Sequence, residues 1–310
     1  MIRKKYTEEY IKINGLTQYF LHYPSAQEEV VIMLHGGPGS STAFIAHHLR
    51  PYWDFCNVIY YDQRGTGRTH LKSKLHQREL TLENMIADLR QTIRYAKKKY
   101  KTDRIILLGH SWGTVLGTQY ILQYPDDVLG YIGTGQVVDT RREMKAAYAA
   151  LGDAIKRAGN KRDWKKLRDF GDYPNADVKN YEKYAMRFLL LQSKYGHALN
   201  FPKLLWLMLK SPIFWLSDLF LVLSGPKTNQ QLINALLEYS IWNITQYPVP
   251  VYYILGRNDW QVPSTIAAAY FEKIQAPRKA LYWIENAGHV ADADNPADFC
   301  KAVREIVAQL

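Results

Sequence analysis

Four apolar residues, Ile105-Ile106-Leu107-Leu108, run straight into Gly109-His110-Ser111-Trp112-Gly113, and Val115 to Gln123 then has helical character. No other stretch restricts the fold of the chain as strongly. A short, continuous apolar run reads as a strand buried on both faces, the habit of parallel sheets covered by helices. A G-x-S-x-G turn between such a strand and a helix is tight, and side chains at its glycines would strike neighbouring elements. The turn holds the serine hydroxyl out above the sheet. The next backbone N–H, that of Trp112, then lies near a helix N-terminus, where a developing negative charge is stabilised.

The rest of the chain repeats the same alternation. Residues 17–23 alternate in polarity and predict a strand, and Val30–Leu34, Asn57–Tyr61 and Val128–Ile132 predict three more. Thr81 is a plausible N-cap for a long helix carrying Leu82, Met85, Ile86, Leu89, Ile93 and Ala96 on one stripe. From about Gln136 to Gln246 the chain reads as helical, basic and aromatic, without a clear strand. Strands at Val251–Leu255 and Ala280–Ile284 then resume, with helices from Ser264 to Ile274 and from Pro296. The expected class is α/β, a mostly parallel sheet flanked by helices. Residues 1–135 and 247–310 form its core, and 136–246 are an all-helical cap inserted between two strands.

Composition narrows the function. A chain of 310 residues suits one large domain or two small ones. Two distant cysteines, Cys56 and Cys300, exclude a disulfide-dense secreted scaffold and a Cys-rich zinc site, and they suggest a reducing, cytoplasmic compartment. The opening MIRKKYTEEYIKING has early positive charge but no apolar run or cleavage site, so no secretory leader is expected. The net charge of +11 first suggests nucleic acid or an anionic membrane. Its densest runs, Lys97–Lys101 and Lys156–Arg168, have helical spacing with acids interleaved or nearby, which is the pattern of a solvated helix face. No nucleic-acid partner is expected. The greasy stretch Leu204–Leu223 is interrupted by Lys210, Pro212 and Asp218, so it predicts two short helices broken at Ser211-Pro212 rather than a span. Membrane association is not expected, a ligand-binding protein of this fold or a membrane-surface protein whose basic aromatic lid binds lipid stands as a third reading, and the oligomeric state is left open.

A serine needs a base and an orienting acid to act as a nucleophile. With this turn the chain order is serine, acid, histidine. Asp259 follows the Val251–Leu255 strand and His289 follows the Ala280–Ile284 strand, so both fall at the sheet edge that carries Ser111. Asp292 and Asp294 are poorer acids, because they lie close in sequence to His289 and head the last helix. His110 lies inside the turn. His35 opens a second glycine loop, His35-Gly36-Gly37-Pro38-Gly39, whose open backbone N–H groups can supply the other oxyanion donor. Gly37 is the first choice for that donor and Gly36 the second. The chemistry requires no metal and no cofactor.

HGGPG, the run Asp62-Gln63-Arg64-Gly65-Thr66-Gly67-Arg68-Thr69, GHSWG, Gly256-Arg257-Asn258-Asp259 and Ala287-Gly288-His289 together resemble the α/β-hydrolase fold. HGGPG with DQRGxG is similar to the proline iminopeptidase branch, over roughly 1–135 and 247–310. That resemblance implies a Ser111, Asp259 and His289 triad, Gly37 and Trp112 as oxyanion donors, a helical cap, and a short-peptide or small-molecule substrate cleaved at its N-terminal residue. Family members bind the free amine with lid glutamates, one often in a Trp-Glu pair. No such pair occurs here, and Glu182 and Glu238 are the nearest candidates. The alternative is an esterase or other small-acyl hydrolase whose lid admits an apolar acid lined by Trp206, Phe214, Trp215 and Trp242.

Overall fold

The structure is a computed structural model that describes residues 6–73, 79–171, 173 and 181–310, with only the backbone described at 181–183, 222–224 and 226. Eight strands form one sheet: β1 (Thr7–Ile13), β2 (Leu16–Tyr23), β3 (Val30–Leu34), β4 (Asn57–Tyr61), β5 (Ile105–His110), β6 (Val128–Thr134), β7 (Val251–Gly256) and β8 (Lys279–Ile284). Their spatial order is β1-β2-β4-β3-β5-β6-β7-β8. β1 and β2 pair antiparallel, β2 lies antiparallel to β4, and every later neighbour is parallel.

Strand β1 is the element that sequence reasoning did not anticipate. Its residues TEEYIKI mix charged and apolar side chains without a continuous apolar run, but Asn14 and Gly15 both adopt positive φ and turn the chain back in a tight hairpin. β1 is an edge strand with polar residues outward, so it carries no buried run that would reveal it. The helices between β3 and β5 are α1 (Ala43–Leu49), α2 (Gly67–Lys72) and α3 (Leu82–Tyr100). Only α3 has the length to show a clear stripe, and the Thr81 side chain caps it by accepting from the Asn84 N–H.

The burial pattern follows from covering both faces of the sheet. All five residues of β3 are buried. Alternation sends Ile32 and Leu34 to one core, with Leu89, Leu116 and Tyr253, and Val31 and Met33 to the other, with Leu49, Phe299 and Val303. Helix α4 (Trp112–Gln123) covers the first face, and α13 (Pro296–Val307), which follows α11 (Ser264–Lys273) and α12 (Ala291–Asp294), covers the second.

Between β6 and β7 the described regular elements are helices: α5 (Thr140–Arg157), α6 (Lys161–Arg168), α7 (Tyr181–Lys194), α8 (Phe201–Lys210), α9 (Leu216–Thr228) and α10 (Gln230–Leu237). This insert has a small core of its own, including Leu151, Ile155, Phe170 and Phe188. Asp163 of α6, itself buried, accepts from Lys194 and Tyr195 and so ties α6 to the end of α7. The break predicted at Ser211-Pro212 separates α8 from α9.

Register decides what the loops can do together. Leu34 pairs with Gly109, His110 with Thr134, Thr134 with Ile254, and Gly256 with Ile284. The carboxyl ends of β3, β5, β6, β7 and β8 therefore finish level. The loops that follow them share one edge, where open α/β sheets gather their chemistry.

Candidate active site

Ser111 is the single residue between β5 and α4, at φ +52° and ψ −118°. A side-chain-bearing residue pays a steric cost there, and the surroundings hold it in place. The Ser111 N–H donates to the Thr134 carbonyl at 3.0 Å, and the Ser111 carbonyl accepts from the Thr114 N–H and hydroxyl at 2.8 and 2.6 Å. The glycines follow from close approach. A Cβ on Gly113 would lie 1.9 Å from the Leu34 carbonyl oxygen, and one on Gly109 would lie 2.6 Å from that of Gly113. Trp112, first in α4, has no acceptor within its own helix for its N–H.

Asp259 and His289 come together from the loops after β7 and β8. His289 Nδ1 is 2.9 Å from Asp259 Oδ2, and both side chains are almost wholly buried. The other oxygen of the carboxylate, Oδ1, accepts from the backbone N–H groups of Gln261 and Val262 at 3.0 and 2.9 Å. The carboxylate is therefore held at both ends. Burial and the neighbouring His289 push the His110 pKa down to about 3, so that ring is neutral, and its Nε2–H donates to the His289 carbonyl at 2.9 Å. Gly135, at φ +52°, faces the His289 ring so closely that a Cβ there would stand 2.9 Å from Cε1. Asp292 is buried elsewhere in α12 and accepts from the Ala293 N–H.

The glycine loop lies against the serine. A Cβ on Gly36 would be 3.3 Å from Ser111 Cβ, and Gly37 adopts φ +116°. Gln63 is the residue that sequence reasoning left without a role. Its Nε2 donates to the His35 carbonyl at 3.1 Å, and its Oε1 accepts from Trp112 Nε1 at 3.1 Å. One buried amide thus braces the glycine loop against the first residue of α4. The Gln63 N–H also donates to His35 Nε2 at 3.0 Å, which leaves the His35 proton on Nδ1, 2.9 Å from the Gly36 carbonyl. Burial lowers the His35 pKa to about 4, so this ring stays neutral. The DQRG tetrapeptide was the available signal for Gln63. Its neighbour Arg64 makes a bidentate pair with Asp88 of α3 at 2.8 and 2.9 Å, which anchors the motif.

The lid residues behave differently. Glu238 is 67 % exposed and pairs with Arg141 at 2.7 Å on the surface. The side chain of Glu182 lies outside the described residues. Trp206 and Trp215 face solvent, Trp206 stacking on His48. Phe214 is half-buried, and Trp242 is half-buried between the Arg142 and Lys273 cations, 4.5 and 3.9 Å from its ring centre. Glu143 of the insert is buried as Asp163 is, and its Oε1 accepts from the Val138 and Asp139 N–H groups at 2.6 and 3.2 Å. Burial, with the Asp139 and Asp259 carboxylates adding to it, pushes the Glu143 pKa up to about 8.

The family model described as alpha/beta hydrolase fold matches residues 29–296. A probable aminopeptidase, YbaC of Bacillus subtilis, is 24 % identical over 305 residues, covering 96 % of this chain and 92 % of its own. A proline iminopeptidase of Saccharolobus solfataricus is 24 % identical over 321 residues, covering 98 % and 93 %. Among solved structures, the proline iminopeptidase of Mycobacterium smegmatis superposes with a TM-score of 0.68 at 17 % identity, covering 98 % of each chain.

Proposed function

The chain belongs to the α/β-hydrolase fold family and is a hydrolase, and we propose that within this family it is a serine aminopeptidase of the proline iminopeptidase type. The observation that carries the chemistry is the buried His289–Asp259 pair at 2.9 Å, on loops level with the Ser111 turn. In the proposed mechanism His289 Nε2 takes the Ser111 hydroxyl proton as Oγ attacks the acyl carbonyl. The amides of Gly37 and Trp112 hold the oxyanion, with Gly36 as the alternative donor on the loop. The carbonyl re-forms as the amine leaves with the proton from His289. Water, losing its proton to His289, then attacks the acyl-enzyme, and the acid product leaves as Ser111 Oγ takes the proton back. Asp259 keeps the proton on Nδ1 and stabilises the imidazolium.

The N-terminal peptide specificity rests on the named relatives. Glu182 remains the lid group proposed to meet a substrate ammonium, whereas the Glu238 carboxylate is engaged by Arg141 at the surface. That engagement favours the second reading, hydrolysis of a small acyl ester. Purified enzyme assayed on proline and alanine anilides, their N-acetyl forms and short acyl esters separates the two. The peptidase reading expects turnover to collapse on N-acetylation. Equal rates on blocked and free anilides, or turnover of esters alone, would replace it with the esterase. Ser111→Ala should abolish turnover and fluorophosphonate labelling in either case.

A further inference from the structure

Of the twelve exposed large hydrophobic side chains among the described residues, nine lie between Met186 and Phe220, all in the helical insert. The densest part spans the outward faces of α8 and the start of α9. Leu205, Trp206 and Leu209 project from α8, and Trp215, Leu216 and Phe220 follow across the short turn; Leu216 is 84 % exposed, Phe220 68 % and Trp215 66 %. These side chains are not surplus from an ill-packed core. The inward faces of the same elements already hold Leu207, Met208, Ile213 and Leu221, all buried. Both helices are therefore apolar on two faces. The interrupted run Leu204–Leu223, expected as short amphipathic or buried helices, leaves Leu205, Trp206, Leu209, Trp215, Leu216, Leu219 and Phe220 exposed among its described side chains. A concentration of exposed aromatic and aliphatic groups on this scale marks a surface that is covered in use.

Charge identifies the cover. Residues 136–246 hold 17 Lys and Arg against 10 Asp and Glu, and the stretch 201–228 that carries the apolar face contributes Lys203, Lys210 and Lys227 against Asp218, so the face itself is net positive. Lys210 is exposed at the end of α8, within the apolar face. A second copy of the chain pairing through the same face would oppose two inserts of like charge. An anionic lipid surface offers the reverse, attraction for the basic insert and an apolar layer for the side chains. Tryptophan suits such a boundary because its ring is apolar while its N–H stays hydrated. No helix of the described residues is long and apolar enough to cross a membrane, so contact of this kind lies in the plane of the surface.

We infer that the outward face of α8 and α9 docks the protein on an anionic phospholipid bilayer, with Trp206, Leu209, Trp215, Leu216 and Phe220 entering the interface and Lys210 meeting the headgroups. The inference is independent of the substrate assigned to the active site. The test is co-sedimentation of the full chain with vesicles of phosphatidylcholine alone and with an equimolar mixture of phosphatidylcholine and phosphatidylglycerol. The expected result is binding to the mixed vesicles that weakens with salt, a blue shift of tryptophan emission on binding, and little retention on phosphatidylcholine. The triple change Leu209→Ser, Leu216→Ser, Phe220→Ser should weaken that binding by at least ~tenfold, and Lys210→Glu severalfold, with unfolding temperature and hydrolase turnover unchanged. Wild-type protein remaining in the supernatant with both vesicles overturns the inference. So does equal binding by the triple variant. A wild-type dimer that the triple variant converts to monomer in light scattering, without vesicle binding, assigns the face to a second copy instead.

Discussion

Replacing Asp259 by Asn removes one charge and changes almost no volume, and the structure dictates how the new amide must sit. Oδ1 of Asp259 accepts from two backbone N–H groups, those of Gln261 and Val262. An Asn must keep its oxygen there. Turning the NH2 toward those donors would forfeit two buried hydrogen bonds, at about 1–3 kcal/mol for each group left unpaired. The NH2 therefore takes the place of Oδ2, 2.9 Å from His289 Nδ1. Since an NH2 donates, Nδ1 must accept, and the imidazole proton moves to Nε2. A ring carrying its proton on Nε2 cannot take one from the Ser111 hydroxyl. Wrong-tautomer substitutions of this kind in serine hydrolases cost about 10⁴-fold in kcat, or roughly 5 kcal/mol of transition-state stabilisation. The assay is the rate of covalent labelling by a fluorophosphonate, which needs no knowledge of the substrate, read beside the unfolding temperature. Asp259→Asn should label orders of magnitude more slowly while unfolding close to the wild-type temperature. Asp292→Asn, whose carboxylate accepts from its neighbour Ala293, should label at close to the wild-type rate. Labelling of Asp259→Asn within tenfold of wild type, or a crippled Asp292→Asn, refutes the assignment of the acid.

Three further outcomes follow from particular contacts. Gly113→Ala places a Cβ 1.9 Å from the Leu34 oxygen, so α4 must move off β3; a loss of about 3 kcal/mol is expected in urea unfolding, and a loss below ~0.5 kcal/mol would show that the turn adapts. Gln63→Leu leaves Trp112 Nε1 and the His35 carbonyl without the Gln63 amide; kcat should fall by about tenfold or more with KM little changed, whereas lost stability with intact kcat would make the brace purely structural. Glu143 has an ordinary value of 4.5 when unfolded and about 8 when folded, so the folded state binds the extra proton and stability falls as pH rises through that window. Glu143→Gln keeps the acceptor for Val138 and Asp139 and should flatten this fall, gaining on the order of 1–3 kcal/mol relative to wild type between pH 5 and 9; parallel stability profiles for the two proteins would count against a neutral Glu143.

The parts of this protein legible in its sequence are those where a local constraint leaves one solution. Continuous apolar runs at Val30–Leu34, Asn57–Tyr61 and Val251–Leu255 belong to strands covered on both faces, because only such strands bury every side chain. The turn at Ser111 was equally plain, since its two glycines answer to backbone atoms a short distance away. Chain order brought Asp259 and His289 to the same edge, because parallel strands deliver their following loops to one side. Contacts between residues far apart in sequence had no such signal. The brace from Gln63 to His35 and Trp112 depends on three separate loops meeting at one level. The surface pairing of Glu238 with Arg141 depends on how α10 packs near α5, and the hairpin of β1 on a partner strand that buries only one of its faces. The helices of the insert show the difference most clearly. Their apolar residues were visible in the sequence, but hydrophobicity alone does not say which face of a helix meets the core. That follows from the packing of α8 against α1 and of α9 against α2, which buries Leu207, Met208 and Leu221 and leaves Trp206, Trp215 and Phe220 in solvent.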